Sequence, residues 1–219
     1  MPQFYEVFQK NSLKLFPKAI EIEAGLKRID YCKREEAFYW VPFEEVSLRI
    51  NNLNIKLWPD HLHDYHWENY YIFSENTFQK MEDAFGLKNI KSYPVKIISD
   101  FHSDTNHLSN PDYYLLNEIA IIGGNIDYKK SGLTYTVCKE CRSIRINTED
   151  IIKAIEQGIG SKLIIDESSW NGQSLFTIGD EKSTRLCCTD EFIRFTSEYH
   201  LTNFVFRNLE TDKIKYGYR

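Results

Sequence analysis

Two short stretches carry residue types able to do chemistry. The first is Cys138-Lys139-Glu140-Cys141. Two cysteines spaced C-x-x-C offer the chelate bite of a zinc knuckle, and a structural zinc needs four ligands. One pair supplies two; Cys32, Cys187 or Cys188, or a histidine, would have to complete the set. A redox pair and two plain structural cysteines are the other readings. A redox pair usually opens a helix after a strand, whereas Arg142 to Ile146 alternates apolar and polar residues as a strand does. The second stretch is Trp58 to Tyr71, which holds three of the six histidines (His61, His63 and His66), with Asp60 and Asp64 among them. His61-Leu62-His63-Asp64-Tyr65-His66 comes close to the HxHxDH pattern of binuclear metallo-hydrolases. The aspartate sits one place early, however, and Tyr65 stands where a metal ligand is required. The same stretch has the composition of a protein contact: Trp58, Tyr65 and Trp67 beside Asp60, His61, Asp64 and Glu68. No Gly-rich phosphate loop and no GxSxG elbow is present, so no residue is assigned a catalytic role.

The elements that position these residues follow from periodicity. Phe4 to Phe8 and Ile20 to Glu23 read as strands. Val46 to Ile50 and Leu53 to Leu57 alternate around Asn51-Asn52 and predict a hairpin. Tyr70 to Phe73 reads as a strand. Ser74 is a helix cap, Phe78, Met81 and Phe85 form a helical stripe, and Gly86 supplies the left-handed stop. Val95 to Ile98 then reads as a strand. The closing part repeats this grammar. An apolar run, Arg185 to Cys188, precedes a cap at Thr189 or Asp190 and a stripe at Phe192, Phe195 and Tyr199. Leu201 follows, and then a strand at Phe204 to Phe206. Phe78, Met81, Phe85 and Leu87 share the spacing of Phe192, Phe195, Tyr199 and Leu201, which raises an internal duplication against the simpler recurrence of any amphipathic helix. A short helix is expected from Glu149 to Gln157 and a strand at Leu163 to Ile165, and the tail from Thr211 reads as frayed. The polar run 100–112 marks a boundary between an N-terminal lobe, 1–105, and a C-terminal lobe, 106–219. The predicted class is α+β, with antiparallel or mixed sheets and a few packed helices.

Composition bounds the function. The chain has 219 residues, a formal net charge of −5 and 15% aromatic residues. No basic run is present to release counterions from a polyphosphate, so nucleic acid is not the expected partner. Nothing approaches membrane-spanning length or a secretory leader, and five cysteines with one adjacent pair do not form a disulfide framework. The expected setting is the reducing cytoplasm.

From Cys138 to Glu210 the sequence resembles the C-terminal half of the double-CXXCG immunity proteins of bacterial polymorphic-toxin systems. The matching pieces are Cys138-Lys-Glu-Cys141-Arg142, Ser174-Leu175-Phe176, Cys188-Thr189-Asp190-Glu191-Phe192 and Leu201-Thr202-Asn203-Phe204-Val205-Phe206-Arg207. Two features depart from the pattern. Arg142 stands where that family has glycine after the second cysteine. In the first pair Cys32 is kept, but Glu35 takes the place of its partner. The resemblance implies a non-enzymatic protein that binds and neutralises one cognate toxin domain, with no obligatory cofactor. A zinc held by the cysteine pairs would be short of one thiolate and would need a substitute ligand. The competing readings are a metal-dependent hydrolase built on His61, His63 and His66, and an interaction domain with no toxin.

Overall fold

The computed structural model describes residues 2–9, 18–33, 37–51, 58–63, 70–99, 111–156, 162–180 and 183–217. The fold is α+β, with two large sheets, one small one and three α-helices among these residues.

The first sheet holds β2 (Lys18–Cys32), β3 (Ala37–Asn51), β4 (His61–His63), β5 (Tyr71–Ser74), β6 (Lys91–Ser99) and β7 (Tyr113–Leu116), in the order β2-β3-β6-β7-β5-β4. Strand β3 pairs with β2 antiparallel and β6 parallel, so Val46 to Ile50 belongs to a long hairpin with β2. The expected partner segment 53–57 lies outside the described residues. Pro42 sits within β3, opposite Leu26.

The second sheet combines β1 (Phe4–Gln9) with β8 (Ile122–Ile126), β11 (Ile165–Asp166), β12 (Leu175–Asp180), β13 (Ser183–Thr189), β14 (Phe204–Asn208) and β15 (Ile214–Tyr216). Its order is β11-β8-β12-β13-β1-β14-β15. Two expectations are corrected here. The division at 105/106 does not follow the sheets: β1 crosses into the C-terminal sheet between β13 and β14, and β7 stays with the N-terminal one. The described part of the tail is not frayed, because β15 pairs with β14 and gives its ladder hydrogen bonds a partner.

The helices form where the caps and stripes placed them. Helix α1 spans Glu75–Phe85; Ser74 accepts from the Thr77 amide, and Gly86 ends the helix at φ 63°. Helix α2 spans Thr148–Glu156 and α3 spans Asp190–Glu198. Thr189 stands at the cap of α3 but makes no side-chain cap bond. Asp190 instead accepts from Tyr5 Oη and Lys215 Nζ, both at 2.9 Å.

Strand alternation separates three apolar clusters. Tyr71 and Phe73 face the central cluster while Ile72 faces the outer side of the first sheet. Likewise Leu186 and Cys188 face the central cluster while Cys187 faces the outer side of the second sheet. Phe78 and Met81 of α1 and Phe192 and Phe195 of α3 enter the same central cluster, so one core spans both sheets; Tyr199, expected in the second stripe, caps α3 and is exposed. No helix among the described residues is long and apolar enough to cross a membrane.

Candidate functional site

Three of the five cysteines meet. Cys32 ends β2, whereas Cys138 and Cys141 lie in the turn joining β9 (Tyr135–Val137) to β10 (Ile144–Ile146). The three sulfurs all lie within 4.8 Å of one another. Cys32 Sγ is 3.8 Å from Cys138 Sγ across 106 residues of chain, far longer than the ~2.05 Å of a disulfide. Cys32 is buried and its two partners are half-buried. Cys187 and Cys188 are fully buried elsewhere, and burial pushes both thiols well above their ordinary range.

The turn itself explains how the pair is presented. The Cys138 amide donates to the Ser143 carbonyl at 2.9 Å, and the Arg142 amide donates to the Cys138 carbonyl at 3.0 Å. Arg142 adopts φ 61°, the left-handed conformation that glycine takes most easily. Arg142 therefore takes positive φ without glycine's conformational freedom. Ser143 Oγ lies 3.0 Å from Cys141 Sγ. Hydrogen bonds from the Ser143 side chain, then from its backbone, lower the Cys141 pKa to about 7, with smaller help from Cys32 and Cys138. A donor aimed at sulfur favours the thiolate.

Beside this trio runs a cleft of about 370 Å³, bounded by Tyr31, Tyr128, Ile144, Ile146, Ile178 and Arg185. Tyr31 precedes Cys32, and Ile144 follows the knuckle. The sulfurs thus lie where two parts of one wall meet. Arg185 sits 3.8 Å from the buried Glu6 carboxylate, which also pairs with Arg207. Ile144 in its lining is 46% exposed, and Tyr135, 48% exposed, packs on Tyr128 with ring centroids 4.7 Å apart.

No family model matches the chain, and no curated protein matches it.

The histidine-rich stretch has a different fate. His61 is 0% exposed. Its ring lies 4.8 Å from Phe204 and 4.9 Å from Phe73, and its carbonyl accepts from Asn203 Nδ2 at 2.6 Å. Asp60 is also turned inward: one carboxylate oxygen accepts from the Thr202 amide and hydroxyl at 2.9 Å, the other from Ser74 at 3.2 Å and Thr77 at 3.3 Å. Trp58 is half-buried against the outer cluster of the first sheet, 6.2 Å from the Tyr113 ring. Asp60 and His61, expected in a partner-binding loop, are therefore ties between the two sheets, because the Asp60 carboxylate meets Thr202 and the His61 carbonyl and ring meet Asn203 and Phe204 across the junction. Asp64, Tyr65, His66, Trp67 and Glu68 lie outside the described residues, as does Glu35.

Sequence reasoning missed the cleft. Arg185 reads as the start of an apolar run, and Tyr31 and Tyr128 stand in unremarkable surroundings. The one available signal was the alternation of Arg142 to Ile146, which places Ile144 and Ile146 on one face of a strand.

Proposed function

We propose that the chain is a binding protein that neutralises a cognate bacterial toxin in the cytoplasm of the producing cell. The observation that carries this reading is the cleft beside the cysteine knuckle. Tyr31, Tyr128, Arg185 and the exposed Ile144 line it, and exposed Tyr135 packs against Tyr128. Tyrosine and arginine around a partly apolar recess are the residues in which binding energy concentrates. The resemblance of Cys138 to Glu210 to immunity proteins supplies the kind of partner, a toxin domain. A complex of this type buries roughly 1,200–2,000 Å², so the cleft would form its centre, with the surrounding surface as rim.

The hydrolase reading requires His61 at an open coordination site, and its enclosed position among Phe73, Phe204 and Tyr71 counts against that.

Co-expression with the protein encoded immediately upstream tests the proposal. The expected result is a co-purifying complex. Ile144→Glu and Tyr128→Ala are each expected to weaken it by about 2 kcal/mol, roughly 30-fold; the melting temperature should stay unchanged in Ile144→Glu and fall in Tyr128→Ala, whose ring packs on Tyr135 and the third apolar cluster. Equal binding by both variants would remove the cleft as the contact surface. Failure of the neighbouring protein to bind at all would remove neutralisation.

A further inference from the structure

The cysteine trio supports an inference independent of any partner. We propose that Cys32, Cys138 and Cys141 hold one soft divalent cation of the zinc class through three sulfurs, with a fourth donor that is not a cysteine.

Geometry is the first support. Zinc bound tetrahedrally at ~2.3 Å to sulfur sets neighbouring sulfurs about 3.8 Å apart. Cys32 and Cys138 stand at 3.8 Å, and the trio needs only a small contraction from its 4.8 Å limit. The second support is the turn, which follows from the cysteine spacing and its surroundings. Backbone bonds between Cys138, Arg142 and Ser143 close it, and the Ser143 hydroxyl reaches the Cys141 sulfur. Donors of this kind orient ligands from behind and favour their charged form. The third support is that the cysteine inventory is complete. Cys187 and Cys188 lie on opposite faces of β13, in separate apolar clusters, so neither supplies a fourth sulfur. Glu140 places Oε2 4.0 Å from Cys32 Sγ, which puts a carboxylate at the rim of the site.

Loading such a site ionises the three thiols and releases their protons to solvent, with no change of oxidation state. Three sulfurs gathered from positions 106 residues apart become one crosslink. The ion thereby joins the end of β2 to the β9–β10 turn and braces the cleft wall between Tyr31 and Ile144.

The test uses the full chain, reduced and stripped with a chelator. Addition of zinc chloride is expected to give one ion per chain by elemental analysis. It should also suppress iodoacetamide labelling at Cys138 and Cys141, while Cys187 and Cys188 stay unlabelled with or without zinc. Cobalt chloride should produce a thiolate-to-metal charge-transfer band that survives in Cys188→Ala. Cys32→Ser is expected to weaken binding by more than the roughly 100-fold lost when a group hydrogen-bonded behind a ligand is changed. Should Cys32→Ser fail to fold, the labelling pattern of the unaltered chain decides. Unsuppressed labelling together with no stoichiometric ion overturns the proposal. So does binding by a folded Cys32→Ser that matches the unaltered chain, or a 2 Da mass loss showing a disulfide in place of the ion site.

Discussion

The molecule contains two strand–helix–strand units of one topology. In the first, β5, α1 and β6 surround β7; in the second, β13, α3 and β14 surround β1. Each flanking strand is antiparallel to the middle one, so the flanking pair runs parallel in both units. Their helix exits match position by position. Gly86 (φ 63°), buried Leu87 and Asn89 (φ 60°) correspond to His200 (φ 54°), buried Leu201 and Asn203 (φ 70°). The difference lies in the source of the middle strand. β7 follows its own unit, whereas β1 comes from the far end of the chain. The second unit is therefore complete only when the N-terminal segment pairs into it, a contact of high loop-closure cost. The repeated pattern specifies each helix locally, but the sheets are specified by remote partners.

The sharpest way to break the comparison is to remove the equivalent ring from each helix. Phe192 lies within 6.3 Å of four rings: Phe85, Phe195, Phe204 and Phe206. Phe78 packs on Phe73 at 5.6 Å. Phenylalanine-to-alanine changes in a core cost ~3–5 kcal/mol. Phe192→Ala is expected near the upper end, about 5 kcal/mol, and Phe78→Ala near the lower, about 3 kcal/mol. Both rings belong to one cluster, so fluorescence and far-UV dichroism in urea should report a single transition in each variant. Separate transitions would show two independently folding units.

Next in size is the junction between the units. Asp60 accepts from Ser74 and Thr77 of the first unit and from Thr202 of the second. Hydrogen bonds to a charged group contribute ~1.5–3 kcal/mol, so Asp60→Ala is expected to cost about 2–3 kcal/mol in urea unfolding. A loss below about 0.5 kcal/mol, the size of an ordinary surface change, would mean that the sheets dock without this tie.

These two predictions mark where the sequence was legible. α1 was readable because cap, stripe and stop all fall within 13 residues, Ser74 to Gly86. β15 was not, because all three of its residues are exposed; only pairing with β14 makes Ile214–Tyr216 a strand. The cysteines were recognisable by type, but the 3.8 Å approach of Cys32 to Cys138 depends on where a 15-residue strand ends. Asp60 and His61 misled for the opposite reason. Their composition matches a contact surface, and in this fold the contact they make is internal.

A smaller effect separates two buried carboxylates. Glu6, on the middle strand of the second unit, pairs with Arg207 and Arg185. Glu118, just after the middle strand of the first, is half-buried as a residue, yet burial of its carboxyl raises its pKa from 4.5 to about 8. Because the folded-state value is the higher one, the stabilising contribution of the protonated form is complete below about pH 4.5. It is lost as pH rises through about 8. Glu118→Gln keeps a neutral group at every pH. It should match the unaltered chain near pH 4.5 and exceed it at pH 8 by on the order of 1 kcal/mol, a value discounted for the side chain's remaining contact with water. Melting curves at the two pH values test this; an equal difference at both would assign the effect to packing.

The finest comparison is between the two left-handed helix exits. Gly86 has no Cβ, and a methyl group added there meets nothing within 4 Å, so Gly86→Ala isolates the backbone cost of positive φ. His200 already bears that cost at φ 54° and is exposed. Left-handed conformation costs a residue with a Cβ roughly 1–2 kcal/mol, part of which glycine returns through its freer unfolded chain. Gly86→Ala should therefore destabilise by about 1 kcal/mol and His200→Gly should stabilise by about 0.5–1 kcal/mol, both read as shifts in urea midpoint at constant slope. Opposite signs would show that the two exits share one backbone requirement met by different residues. If His200→Gly is destabilising, the His200 side chain contributes more than its backbone geometry costs, and the likeness of the two exits ends at their dihedral angles.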